Sequence, residues 1–372
     1  VPRKEQMTAL FFVNLTYFLR VLGLGISYHV RYYRLRKMFG GDVDVEQVIV
    51  IGAGPCGLSA AVALQREGLS PLLIEKSCIV NAIYLYPTYL QFFSTPELLE
   101  IGGYSFTTPH EKPYRQEALV YYREVARREQ LRIHSYEEAV QIEQVESGFK
   151  VHTTDQFGNR AIYETRKVIV ATGYFDHPNL LGIPGEELPK TTHYYKEAHP
   201  YAGAKVAIIG GNNSAVDAAM DLLRVGTDVT VVYRGKDFSA NIKPWVRPLF
   251  ESMVKKGRIQ MWFDSQVERI DEHTVLVRKG SEHVTLDNDF VLALTGFRPD
   301  RQLLTDIGVD FHEETNAPLV NPDTMETNIP GLYVAGVVAS SKYDANEIFI
   351  ESGRLHGLSI TKHIVAGLGH SS

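Results

Sequence analysis

At 372 residues and 44% hydrophobic composition, the chain has enough apolar mass for two domains with full cores, which excludes a disordered protein. A formal net charge of −6 with 22% charged residues describes an acidic soluble protein and excludes the basic surplus that a nucleic-acid partner selects. Two cysteines, Cys56 and Cys78, cannot build a disulfide framework, and no C-x-x-C or His/Cys cluster points to zinc or another metal, so a reducing, cytoplasmic setting fits.

Residues 1–43 read as an N-terminal extension of uncertain status. Thr8 to Val30 is largely apolar, nearly of membrane length, and is followed by Arg31, Arg34, Arg36 and Lys37. Arg20 sits mid-run at a cost of about 2.5–3.5 kcal/mol on insertion scales. Asn14 and two glycines weaken the run further, and no small-residue cleavage site is evident. Three readings stay open, in falling order of weight: an upstream extension whose start is Met38, an interfacial membrane contact through residues 8–30, and a true span.

Residues 47–76 spell a strand, a glycine turn, a helix and a second strand ending in an acid. Val48 to Ile51 is the continuous apolar run of a parallel strand buried on both faces. Gly52, Gly54 and Gly57 form G-x-G-x-x-G: the first permits the tight turn, the second lets a pyrophosphate approach the backbone, the third allows close helix packing. A helix from about Leu58 to Glu67 aims its free N–H groups at the phosphates, and Gly68 stands where it should stop. Glu75, at the end of the strand from Leu72, occupies the ribose-binding position.

Cys78 to Gly103 is crowded with Tyr84, Tyr86, Tyr89, Phe92 and Phe93. Pro87 and Pro96 break any long helix, so loops and short helices are expected, with rings either facing a flat cofactor or simply packing. Gln116 to Gln130 predicts a helix, and Arg132 to Val145 with Lys150 to Thr153 predict strands, from which Val140 could lend its backbone to an adenine edge.

Lys167 to Gly173 is a further buried strand ending in Ala-Thr-Gly, which brings in Thr172 and Gly173, and Phe290 to Gly296 repeats the pattern downstream. The two strand ends bracket an insert. Within it, Ala204 to Ala219 is another strand, turn and helix: Gly210 and Gly211 open the turn, Asn212 stands where a second glycine would be and can tolerate positive φ, and Ser214 and Ala215 begin the helix. The strand Val229 to Val232 ends in Tyr233-Arg234-Gly235-Lys236 with no acid at the ribose position. Cationic Arg234 and Lys236 favour a 2′-phosphate, hence NADPH over NADH. Near the end, a strand reaches Val334, Gly336 and Val337 follow, and a helix is expected to begin near Asn346.

Two nucleotide folds, one inserted in the other, resemble the thioredoxin-reductase-like flavoproteins with two dinucleotide-binding domains, over about residues 45–370. GAGPCGLSAA, the Glu75-Lys76 pair, NAIYLYPT, A-G-V-V in place of A-G-D and NEIFIESGRLHG together resemble the bacillithiol-disulfide reductase (YpdA-like) family. The resemblance implies an α/β fold of two Rossmann-like dinucleotide-binding domains, an NADPH domain (176–289) inserted in a discontinuous FAD domain (44–175 and 290–372), and a homodimer. It further implies that FAD lies on the first turn with Pro55 and Lys76, NADPH on the second, the strand end at Gly296 near the domain crossing, and the flavin chain near Gly336. Val337 replaces the aspartate of A-G-D, so flavin binding must lean on backbone N–H groups or another side chain. The following helix should place N–H groups near Phe349 and Ile350 at the flavin C2 carbonyl.

The implied reaction passes hydride from NADPH through FAD to a low-molecular-weight disulfide without a C-x-x-C pair. Cys56, at the start of the first helix, is then the candidate catalytic residue, with a pKa expected to be depressed by the helix N-terminus. His356 and Glu351 are spaced poorly for a proton-transfer pair and read better as a solvated surface. Arg298, Lys342 or Arg354 could clamp substrate carboxylates. A flavin monooxygenase and a thioredoxin-reductase-like ferredoxin–NADP reductase are the alternatives. The monooxygenase is demoted because Ile183-Pro184-Gly185 with His193 does not keep the spacing of its linker signature.

Overall fold

The computed structural model describes residues 45–341 and 348–368. Expectations for residues 1–43, including membrane contact through 8–30, and for Lys342 and Asn346, fall outside these. Among the described residues no helix is long and apolar enough to cross a membrane.

The first sheet grows from β1 (Glu46–Ile51), whose buried run pairs in parallel with β2 (Leu72–Glu75) on one side and β6 (Arg160–Val170) on the other. Between β1 and β2 runs α1 (Pro55–Arg66), and β3 (Arg132–Ser135) extends the sheet beyond β2. The expected start at Leu58 moves to Pro55, because Gly54 is extended as N-cap and the fixed φ of proline suits the first helical position. Gly68, at φ +81, ends the helix as expected.

Short α2 (Asn81–Leu85) and α3 (Pro96–Leu99) interrupt the aromatic stretch, and α4 (Arg115–Arg128) covers the sheet. β4 (Glu137–Val145) and β5 (Gly148–Asp155) form an antiparallel meander with the first half of β6. The second half of β6 joins the parallel sheet, so one strand belongs to both layers.

The second sheet is parallel throughout, in the order β10-β9-β8-β14-β7. Its strands are β7 (Thr191–Thr192), β8 (Lys205–Ile209), β9 (Asp228–Val232), β10 (Gln260–Trp262) and β14 (Phe290–Ala293). Alternation divides β8: Val206 and Ile208 pack with the apolar stripe of α5 (Asn213–Arg224), and Phe250 of α6 (Arg247–Lys255) joins that core. Ala207 and Ile209 face the antiparallel sheet of β11 (Ser265–Ile270), β12 (Thr274–Lys279) and β13 (Glu282–Asp287). Burial on both faces is why this strand carries no polar alternation.

The boundary expected at residue 290 falls one strand early. β14 pairs with β8 and β7 inside the inserted unit, and the chain crosses back after it. The outgoing and returning crossings lie side by side: the Asn179 N–H donates to the Gly296 carbonyl at 2.9 Å, the Thr295 hydroxyl donates to the Asn179 carbonyl at 2.6 Å, and the Phe175 and Phe297 rings stack with centroids 4.2 Å apart. After α7 (Gln302–Asp306), β15 (Leu332–Val334) completes the first sheet against β6, a 3₁₀ turn spans Gly336–Ala339, and α8 (Ile350–Leu368) packs along α1.

Candidate active site

The first glycine turn divides its work as the spacing predicts. A Cβ on Gly52, at φ +104, would lie 2.5 Å from the Ala171 carbonyl oxygen, and one on Gly57 only 2.0 Å from that of Gly52. A Cβ on Gly54 would meet nothing within 4 Å: its open side faces a cavity of about 1130 Å³. That exceeds the roughly 300–1,000 Å³ of ordinary small-molecule pockets.

Glu75 is buried at the cavity wall, where its carboxylate accepts the Ala53 and Ser77 backbone N–H groups, each at 2.8 Å. Burial raises its pKa while these bonds oppose the rise. A carboxylate has further acceptor sites for sugar hydroxyls. Lys76 pairs with Asp176 at 3.0 Å, so both charges sit at the cavity rather than one. Val140 also lines the cavity, and the β4–β5 register skips it between Ala139 and Gln141, which leaves it opposite no residue of β5. Thr172 Oγ1 is buried and has no hydrogen-bond partner among the described residues, and Gly173 beside it is at φ +76.

Of the two cysteines only Cys56 lines the cavity; Cys78 is partly buried, with its sulfur 3.6 Å from Asn81 Oδ1. Cys56 stands in the first turn of α1, half-buried, with its sulfur packed against glycines from the far end of the chain. A Cβ on Gly336 or on Gly353 would approach Sγ to 2.9 Å. The expectation of a depressed pKa is therefore reversed: burial, and then the charge of Glu351, push the thiol up to about 12.

Glu351 is also no solvated surface residue, since it lines the cavity and accepts a hydrogen bond from the Ser94 hydroxyl. Nor is His356, whose Nδ1 accepts the Gly336 N–H at 3.2 Å while burial lowers its pKa. Two carboxylate-clamp candidates fail on geometry. Arg298 is exposed and off the cavity wall, and Arg354 donates to the main-chain carbonyls of Glu100 and Glu351. Of the aromatic stretch, Tyr86, Tyr89, Phe92 and Phe93 line the cavity, whereas Tyr84 lies under the cations of Arg115 and Lys196. Val337, Phe349 and Ile350 line it too, and Ile350 is the first residue of α8.

In the second turn Gly210, at φ +140, would drive a Cβ to 2.4 Å from the Leu294 oxygen, and Gly211 would drive one to 2.4 Å from the Tyr233 ring. Asn212 needs no tolerance of positive φ: it is an extended N-cap at φ −96, and its Oδ1 accepts from Ser239 at 2.6 Å. Ser214 reaches the cavity and Ala215 is packed beneath. Arg234 and Lys236 are exposed beyond β9 and off the cavity wall.

Sequence reasoning missed Lys243, which is buried, pairs with Asp217 at 2.7 Å and lies 3.7 Å from the centroid of the Phe93 ring. All three line the cavity. No local spacing signals that cluster, since its members are far apart in the sequence. Asn213, which accepts the Lys243 N–H at 2.9 Å, was marked only by its neighbours.

The family model described as pyridine nucleotide-disulphide oxidoreductase matches residues 49–336. Bacilliredoxin reductase Bdr of Bacillus subtilis (strain 168) is 48% identical over 326 residues, covering 87% of this chain and 99% of that protein. The solved structure of bacillithiol disulfide reductase Bdr (YpdA) from Bacillus cereus superposes with a TM-score of 0.85 at 49% identity, covering 87% of this chain and 100% of that one. A ferredoxin–NADP reductase of Ignicoccus hospitalis is 29% identical over 304 residues, covering 78% of this chain and 90% of that protein. With the match running through both glycine turns and both sheets, the chain belongs to the pyridine nucleotide-disulphide oxidoreductase family, on its bacillithiol disulfide reductase branch.

Proposed function

We propose that this chain is an NADPH-dependent flavoprotein that reduces the disulfide of a low-molecular-weight thiol such as bacillithiol. The observation that carries the reading is a solitary cysteine sulfur set in the wall of a dinucleotide-sized cavity, with no second cysteine beside it. The residues fit FAD: open space over Gly54, the unmatched Thr172 hydroxyl and the spare acceptor capacity of Glu75 suit a polar, phosphate-bearing dinucleotide.

Gly52, Gly54, Pro55 and Gly57 would hold the pyrophosphate, and Glu75, Lys76 and Val140 the adenosine. Thr172, Gly173, Gly336, Val337, Phe349 and Ile350 would hold the flavin end, whereas Gly296 is exposed at the crossing and off the cavity wall. Gly210, Asn212, Ser214 and Ala215 would seat the NADPH phosphates, and Arg234 and Lys236 the 2′-phosphate. Bound FAD supplies two-electron transfer between nicotinamide and sulfur, so that a disulfide, NADPH and a proton give two thiols and NADP⁺.

The protein's own part is to place Cys56 and to move protons. Because burial keeps Cys56 protonated, exchange with a substrate disulfide requires removal of its Sγ proton. Glu351, held by Ser94 on the same wall, is the carboxylate whose charge reaches that sulfur. The two unpaired cysteines fit a reducing cytoplasm, and a homodimer accords with the family resemblance.

The test is NADPH consumption by the purified yellow protein with bacillithiol disulfide, with oxygen plus a nucleophile, and with ferredoxin. Stoichiometric disulfide-dependent oxidation is expected. A stable oxygen adduct or preferential ferredoxin reduction would move the chain to one of the alternatives. Cys56→Ala should keep FAD and the slow oxidation of NADPH by oxygen while losing disulfide turnover; unchanged turnover would remove this sulfur from the chemistry.

A further inference from the structure

The segment at Gly336 lacks the acid that A-G-D flavoproteins carry, since Val337 stands in its place. Something else must fix this turn. At its start, the Ala335 N–H donates to the Val170 carbonyl at 2.9 Å, and the Gly336 N–H donates to His356. At its far end, Arg301 reaches in from the residue preceding α7: Nε donates to the Val338 carbonyl at 3.1 Å and Nη2 to the Ser340 carbonyl. Ser340 closes the loop on itself, its hydroxyl donating to the Val337 carbonyl at 2.7 Å.

Arg301 is only 8% exposed, and its hydrogen-bond partners among the described residues are these main-chain oxygens rather than a carboxylate. Burying a guanidinium without a counter-ion is costly, and carbonyl dipoles answer the cost only in part. The turn it grips forms the cavity wall at Gly336 and Val337, and Gly336 is also in contact with the Cys56 sulfur. The turn that this buried cation grips thus lies between the cavity and the Cys56 sulfur.

We infer that Arg301 is the positioning residue that replaces the missing acid: it fixes the Gly336–Ser340 turn for the flavin, and its charge, which meets only main-chain carbonyls among the described residues, favours the more negative, reduced form of the bound ring. This rests on FAD occupying the cavity as proposed above. Two readouts separate it from a merely structural role, namely the midpoint potential of bound FAD and rescue by a variant that keeps the charge.

Arg301→Met should weaken FAD binding tenfold or more. It should also cost tenfold in the affinity for reduced relative to oxidised flavin, which for two electrons is a fall of about 30 mV in midpoint potential. Arg301→Lys should restore the potential but only part of the affinity, because an ammonium cannot span two carbonyls as the guanidinium fork does. Wild-type affinity and potential in Arg301→Met would overturn the inference, as would a potential equally lowered in the lysine variant. Should the methionine variant yield no folded protein, Arg301→Gln against Arg301→Lys makes the same comparison: a fall in the glutamine variant alone supports the assignment, and equal potentials overturn it. A wild-type protein that takes up no FAD would remove the functional reading and this inference with it, whereas FAD-loaded wild type beside indifferent variants removes the inference alone.

Discussion

The reversal at Cys56 is open to direct measurement. A thiol at about 12, against its ordinary 9.0, is ionised to roughly one part in 10⁴ at pH 8, about 10³-fold less than an unperturbed cysteine over the range below pH 9. Because the thiolate is the nucleophile, alkylation of Cys56 by iodoacetamide in flavin-free protein should be slower by about the same factor. It should climb steadily through pH 11 without a plateau. Carrying Cys78→Ser removes the second sulfur, and mass spectrometry at intervals gives the rate.

Glu351→Gln supplies the sign. A carboxylate beside a thiolate disfavours the charged form, so removing it must lower the Cys56 pKa and speed alkylation. The gain must stay well short of 10³-fold, since burial is the larger cause and remains. Half-maximal alkylation below pH 9, or a slower reaction in Glu351→Gln, would refute the reasoning.

Three further outcomes are expected. Thr172→Val removes a hydroxyl that has no hydrogen-bond partner among the described residues, so thermal stability without FAD should hold or rise while FAD affinity falls about five- to tenfold, read by fluorescence titration and calorimetry. Arg234→Ala with Lys236→Ala should raise the KM for NADPH by at least about tenfold and leave that for NADH nearly unchanged, because only the former carries a 2′-phosphate. Burial alone would raise the pKa of Glu137, but hydrogen bonds from His134, Thr153 and Tyr163 outweigh it and hold the carboxyl below its ordinary 4.5. Its contribution to stability is therefore complete above about pH 4.5 and is lost as pH falls through the lowered value. Glu137→Gln should flatten the acid limb of a melting-temperature profile.

What could be read in advance was whatever a short stretch of chain decides by itself. Gly52 and Gly57 are crowded by the turn itself and the strand beside it, so their spacing alone gave the turn, and the run from Leu72 to Glu75 set an acid on the cavity wall. Phe290 to Gly296 was assigned to the wrong sheet because a strand buried on both faces looks the same wherever it is inserted. The Cys56 pKa was misjudged for a related reason. The helix terminus is local and visible, whereas the walls at Gly336 and Gly353 arrive from the other end of the chain. The Phe93–Lys243 contact had no local signal at all.

The two glycines flanking the Cys56 sulfur also bear on attempts to retool this chamber. Neither position can accept even a methyl group without shoving the thiol aside, so that side of the vessel is frozen. Room for a bulkier guest is better carved at an aromatic lip of the cavity, where Phe93 and Trp245 are 53% and 63% exposed and lie against Lys243 and Lys112. A library aimed at new disulfides should diversify that aromatic lip and leave the sulfur's own niche alone.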